Sequence, residues 1–195
     1  DMKVTKAQAQ ANRAHIVETA SALFRERGYD GVGIADLMAV AGFTHGGFYK
    51  HFGSKAELLA EAATCGFAQS AAKAEGVDAV EVVKQYLSRE HRDARGEGCT
   101  MAALCADAAR QPESIKTAFA TGVESLLGTL ANQHGAPEDG NREGDLRARR
   151  IDVLAQVIGA IVLSRACPDD SPLADEILDV CRAAVLSRLS APLDA

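Results

Sequence analysis

Two adjacent glycines, Gly46 and Gly47, inside the stretch Ala41-Gly-Phe-Thr-His-Gly-Gly-Phe-Tyr-Lys-His-Phe-Gly-Ser-Lys55 constrain this chain more than any other feature. Just before them, Ile34, Leu37, Met38 and Ala41 recur at helical spacing and mark one buried face. Gly42 breaks that pattern, and Ala41-Gly42-Phe43 is a turn of the length that joins two helices at a steep angle. Thr44 is placed to cap a second helix over about Thr44 to His51. Each glycine inside such a helix costs about 1 kcal/mol against alanine, so the helix needs a reason to exist. Close approach of its backbone to another surface is such a reason, because glycine has no Cβ to hold that surface off.

A helix that enters the DNA major groove by its N-terminal residues meets this condition. On that reading Thr44, His45, Gly46 and Gly47 face base edges, while Tyr49, Lys50 and Lys55 donate to phosphate oxygens. Phe48 and Phe52 tie the helix to a small core. Ser54 and Glu57 have the spacing of a capping box, which starts a new helix at residue 55. A pair of helices that only pack against each other is the plainer alternative, and the residue types alone leave both open.

The run from Ala41 to Leu59, with its Phe48-Tyr-Lys-His-Phe-Gly-Ser-Lys55 centre, closely resembles the TetR family of bacterial transcriptional regulators. The resemblance covers about residues 10 to 62. It implies an all-α fold of about nine helices: a three-helix helix-turn-helix head over 1–54 and a larger ligand-binding and dimerisation body over 55–195. It implies a homodimer that binds operator DNA, most simply as a repressor, and is released by a small molecule. Where the family usually carries a Thr or Ser pair, this chain has Val32-Gly33, which removes a hydroxyl cap from the second helix and one phosphate contact.

The net charge of −6 argues against DNA as a partner only if it is averaged. Residues 1–55 hold seven Lys and Arg against five Asp and Glu, a net of about +2; the rest holds fourteen against twenty-two, a net of about −8. A mildly basic head on an acidic body suits local phosphate contact. Five cysteines (65, 99, 105, 167 and 181) form no CxxC pair, and the histidines show no ligand spacing with them. They are expected as reduced thiols in the cytoplasm. No apolar run reaches the roughly 18 residues of a membrane helix. No catalytic constellation, cofactor motif or metal site is visible.

In order along the chain, a first helix is expected over 5–27, capped by Thr5 and ended by Gly28. Helices follow over about 55–73, 79–95, 99–110 and 113–133, with Arg89 to Arg95 as a solvated end. His134 to Asp145 reads as a loop by composition. Two long apolar helices, 146–166 and 172–190, close the chain. The resemblance implies that this last pair meets its twin in a four-helix bundle, which two DNA half-sites also require.

It further implies a ligand pocket among residues 55–133, with Cys65, Gln69, Tyr86, Cys99, Met101, Cys105 and Phe119 as candidate lining for an apolar or electrophilic molecule. Cys99 stands at a helix N-terminus, where the dipole favours a thiolate, with Arg92 and Arg95 nearby. Two other classes stay open: a thiol-dependent helical enzyme using Cys99, and a helical dimer whose head binds protein.

Overall fold

The computed structural model describes residues 5–132 and 140–190, and every regular element in them is helical. The elements are α1 (Lys6–Arg27), α2 (Ile34–Val40), a 3-10 turn (His45–Lys50), α3 (Lys55–Ala74), α4 (Ala79–Tyr86), α5 (Arg89–Asp93), a second 3-10 turn (Arg95–Glu97), α6 (Thr100–Ala108), α7 (Glu113–Asn132), α8 (Gly140–Ala166) and α9 (Pro172–Ser190). The all-α class expected from the sequence is therefore observed. By contacts the chain divides into two compact units. One holds the described residues up to Gln69 together with Cys99–Gly122; the other holds Ser70–Gly98 and the described residues from Val123 on.

In the first unit, α1 is capped as its sequence predicts. Thr5 Oγ1 accepts from the Gln8 N–H at 3.1 Å, and Gly28 ends the helix at φ +75°, where a side chain would be strained. The core is built from Ile16, Ala20, Leu23 and Phe24 of α1, Leu37 and Met38 of α2, Phe48 and Phe52, and Leu58, Leu59 and Ala62 of α3. Tyr29 is buried with its ring edge-on to Phe24, 5.4 Å between centroids. Helix α6 is fastened at both ends within this unit. Its Asp107 accepts from the Tyr29 N–H at 3.1 Å, and its Thr100 Oγ1 lies 3.4 Å from a guanidinium nitrogen of the buried Arg25.

In the second unit, α8 and α9 pack lengthwise through Val157, Ala160, Ile161 and Ser164 on one side and Ala174, Leu178 and Val185 on the other. Ser164 Oγ, itself buried, donates to the Ala174 carbonyl at 2.8 Å. Three sequence expectations are corrected here. The helix expected over 79–95 breaks at Leu87–Ser88, because Ser88 Oγ accepts from the His91 N–H and so caps a new helix. The solvated end expected at Arg89–Arg95 contains Arg92, only 1% exposed, whose guanidinium donates to the carbonyls of Ser164 and Cys167 and pairs with Asp93 and Asp169. Of the loop expected over 134–145, Gly140 to Asp145 already belong to α8, and residues 134–139 lie outside the described residues.

Candidate nucleic-acid interface

The segment after α2 is a turn, then a short 3-10 helix. Gly42 takes φ +80°, open to glycine and rarely to other residues, and the Phe43 N–H closes on the Met38 carbonyl at 2.8 Å. The expected α-helix over Thr44–His51 is instead 3-10 over His45–Lys50, and Thr44 makes no side-chain cap. The reason lies in the glycine pair: two residues without helix propensity leave too little to hold i→i+4 bonds across six residues. The tighter i→i+3 bonding takes over, as in Gly47 N–H to Thr44 O at 2.9 Å and His51 N–H to Phe48 O at 2.9 Å.

This short element has two distinct faces. Phe48 is fully buried and packs on Phe52, with 5.4 Å between centroids. Thr44, His45, Gly46, Tyr49 and Lys50 are exposed, Tyr49 by 64%, and Gly47 is half-buried. A Cβ built on Gly46 would meet nothing within 4 Å, so no contact inside the protein explains that glycine. The His45 and Tyr49 rings stand edge to face, 6.2 Å apart, on the same outward side.

Lys55 is placed differently. Its ammonium donates to the carbonyls of Tyr29 and Val32, both at 2.8 Å, and so ties the start of α3 to the loop between α1 and α2. The capping box next to it forms in altered shape. Ser54 Oγ accepts from the Glu57 N–H at 3.1 Å, while the Glu57 carboxylate reaches back one residue further, to the Gly53 N–H at 2.8 Å.

Two arginines of α1, Arg13 and Arg25, are also turned inward. Arg13 donates to the His51 carbonyl and pairs with Glu57 and Glu61. Hydrogen bonding to Glu61, together with the charges of Glu61 and Glu57, raises its pKa against the opposing effect of partial burial. Arg25, 6% exposed, donates to Ser21 Oγ at 2.8 Å and Gln69 Oε1 at 3.2 Å. Their partners lie in other helices or a turn away, a signal only an α-helical wheel joined to a fold could have shown. The head's outward cations are thereby reduced: Lys6, Arg27 and Lys50 are exposed and make no ion pair among the described residues.

Of the seven candidate ligand residues, six fall in the first unit and Tyr86 in the second. Cys99, Met101 and Phe119 are buried, and Phe119 stands edge-on to Phe67 with 5.3 Å between centroids. Cys65 and Cys105 are half-buried, and burial pushes both thiols up. Cys99 does sit at the N-terminus of α6, but Arg92, expected beside it, is engaged by Ser164, Cys167 and Asp169. Tyr86 stacks on His91 at 4.4 Å, and burial lowers the pKa of that histidine while its hydrogen bond to the Tyr86 carbonyl opposes the shift. No group of three metal-ligating side chains forms among the described residues, and none of the described helices is long and apolar enough to cross a membrane.

A three-helix head with an outward polar turn on a buried aromatic anchor defines a helix-turn-helix protein. Residues 16–62 match the family described as bacterial regulatory proteins, tetR family, a match that lies within the head. It is similar to the HTH-type transcriptional regulator TtgR of Pseudomonas putida, 46% identical over 55 residues, which are 28% of this chain and 26% of that protein. It is also similar to the HTH-type transcriptional repressor DhaR of Mycobacterium sp. (strain GP1), 46% identical over 43 residues, 22% of each chain. The matched region thus spans about a quarter of the length of these curated relatives. The fold is shared with solved structures over most of the chain. A transcriptional regulator of the TetR family from Agrobacterium tumefaciens superposes with a TM-score of 0.66 at 21% identity, over 94% of this chain and 100% of that one. The reduced form of NemR from E. coli superposes with a TM-score of 0.71 at 18% identity, over 91% of this chain and 96% of that one.

Proposed function

We propose that this protein is a transcriptional regulator, a repressor, that reads operator DNA with Thr44, His45, Gly46 and Gly47 and grips phosphates with Tyr49 and Lys50. The observation that carries this reading is the division of the His45–Lys50 turn into a buried anchor and an exposed polar face with an unfilled glycine. The buried Phe48 fixes the turn's register, and the open space over Gly46 lets a base edge come against backbone. Lys55 gives two of its three N–H donors to carbonyls of the head and so serves first as a tether, with one donor left for a phosphate.

Reading two half-sites needs two heads. The second unit offers the surface for pairing. Helix α9 is apolar on two sides: Ala174, Leu178 and Val185 face inward, while Leu173 and Val180 stand exposed. Helix α8 matches it with exposed Ile151, Val162 and Leu163, and with Gly159, over which nothing lies within 4 Å. A helix apolar on both sides needs a second partner, and a second copy of this chain supplies it. A small apolar or electrophilic ligand in the body then favours one spacing of the heads, and by linkage DNA weakens ligand binding by the same factor.

The test is fluorescence anisotropy on a duplex from upstream of the protein's own gene, with a scrambled duplex as control. Tyr49→Ala should abolish the preference for the cognate duplex and leave the fold intact by circular dichroism. Equal binding of the variant and the parent to the cognate duplex would remove Tyr49 and its face from the interface.

A further inference from the structure

Beyond its buried Phe48 and its short-range backbone bonds, the turn at His45–Lys50 has little of its own to hold its shape. It has two glycines, no side-chain N-cap, and a 3-10 run longer than such runs usually persist. What fixes it lies outside it, on α1. Arg13 Nε donates to the carbonyl of His51, the residue that ends the turn, at 3.2 Å. The guanidinium carbon lies 4.5 Å from the ring centroid of Phe52, the next residue. Arg13 Nη2 donates to Glu57 at 3.0 Å and to Glu61 at 2.5 Å, and Nη1 donates to Glu61 as well. Glu57 in turn holds the Gly53 N–H at 2.8 Å. The joint His51-Phe52-Gly53 is therefore gripped at a carbonyl, a ring face and an amide by one connected cluster.

We propose that Arg13 is the positioning residue of the DNA-reading turn: it sets the turn's angle by clamping its C-terminal joint to α1 and α3, without itself touching DNA. This rests on the DNA-binding reading above. The chemistry demands arginine. A planar guanidinium can lie over an aromatic ring while its edge donates to one carbonyl and two carboxylates; an ammonium cannot do all of these at once. Glu57 and Glu61 stand one turn apart on α3, and the cation paired with both offsets their mutual repulsion. Site residues need their supporting groups locked to within about 0.5 Å for contacts to count, which a six-residue turn with two glycines cannot supply for itself.

The substitution that isolates this role is Arg13→Lys, which keeps the charge and loses the fork. Amide exchange on the free protein reads the clamp directly. The amides of Gly47, His51 and Phe52, bonded within the turn, should exchange about tenfold faster in the variant, while the slowest core amides, which report global unfolding, do not change. Anisotropy reads its purpose. The preference for cognate over scrambled duplex should fall about tenfold, and the slope of log affinity against log salt should stay as in the parent, since no phosphate contact is lost. Lys50→Ala, by contrast, should reduce that slope by about 0.9 for each head. Unchanged exchange in Arg13→Lys overturns the clamp. Faster exchange with undiminished preference overturns its role in reading DNA, and a slope lowered as in Lys50→Ala shows that Arg13 is itself a phosphate ligand and overturns it too. If the parent protein prefers no duplex, the regulator reading falls, and with it the DNA-reading role given to Arg13; the exchange arm then still decides whether the clamp exists.

Discussion

Tyr49 in the head and Val180 in α9 are exposed to nearly the same degree, 64% and 61%, yet they teach opposite lessons about exposed surface. The other exposed residues of the Tyr49 turn are polar or lack a side chain: Thr44, His45, Gly46 and Lys50. Each of these tolerates water, so the surface is stable as it stands, and its readiness for a partner shows only in the empty space over Gly46. Val180 is itself apolar, as are the exposed Leu173 on the same helix and the exposed Ile151, Val162 and Leu163 on α8, none of which gains from water. On the proposed function, the first surface meets a charged polymer and the second its own copy. The first is tethered by groups outside the turn; the second is carried on helices of 27 and 19 residues packed lengthwise on each other.

The sharpest way to break this comparison is to make the second surface like the first. Val180→Asp, or Leu163→Asp, puts a carboxylate into the apolar face, and a two-fold interface receives it twice. Burying an unpaired charge costs several kcal/mol, so the chain should become monomeric at micromolar concentration. Operator affinity should drop by at least about a hundredfold, because one head then binds without its twin. Sedimentation velocity and anisotropy together decide it. A variant that remains dimeric would place the interface elsewhere.

A smaller effect is expected inside the first unit, at Gly66 of α3. A Cβ there would come 2.6 Å from Arg25 Nη1 and 2.9 Å from Ser21 Oγ, and closer still to Thr100 Oγ1. Alanine gains about 1 kcal/mol of helix propensity at that position. Against this, Arg25 is buried and its guanidinium has nowhere to retreat without losing Ser21 and Gln69. Gly66→Ala should therefore lose about 1–3 kcal/mol net, read as a lower denaturant midpoint with an unchanged slope. A stabilised variant would mean that the Arg25 cluster rearranges freely and is not a fixed junction of α1, α3 and α6.

How far the sequence revealed all this depends on the range of each interaction. Thr5, Gly28, Gly42 and Ser54 were legible because a cap or a turn acts within about four residues. Phe48 and Phe52 were legible from their spacing and from the TetR resemblance. Lys55 was not, because the carbonyls it binds stand 26 and 23 residues earlier. Arg13 counted only as part of a basic head, and its partners lie 38 to 48 residues further on; Arg25 suits the end of the α1 dipole by position, but two of its partners lie 44 and 75 residues further on. A charge count gives the number of cations but not the direction in which each is turned. The same limit made Arg92 look solvated, since nothing near it in sequence announces Ser164 and Cys167. The 3-10 form of the reading turn was within reach, because the cost of the glycine pair was plain; what the cost selects, a tighter helix in place of a strained α-helix, was the missing step. On α9, the sequence shows an apolar helix, but separating its inner residues Ala174, Leu178 and Val185 from its outer Leu173 and Val180 needs α8 in place.

The smallest expected effect lies at a second tyrosine of the head, and it runs against intuition. Tyr29 is 1% exposed and its hydroxyl has no hydrogen-bond partner among the described residues. An unsatisfied buried hydroxyl is a cost, so removing it while keeping the ring against Phe24 should be neutral or stabilising by up to about 1 kcal/mol. Tyr29→Phe thus predicts a melting temperature equal to the parent's or a few degrees higher. Alkaline stability supplies an independent reading. Burial, with the Asp107 charge behind it, pushes the Tyr29 phenol above its ordinary value. The unfolded chain then releases this proton more readily than the folded one, so stability is full below about pH 10 and falls as pH rises further. The phenylalanine variant should lack that part of the fall. A loss of more than about 1 kcal/mol at neutral pH would show instead that an ordered water satisfies the hydroxyl. Tyr29 would then be held by a polar network, as the reading turn is by Arg13, and not by ring packing alone.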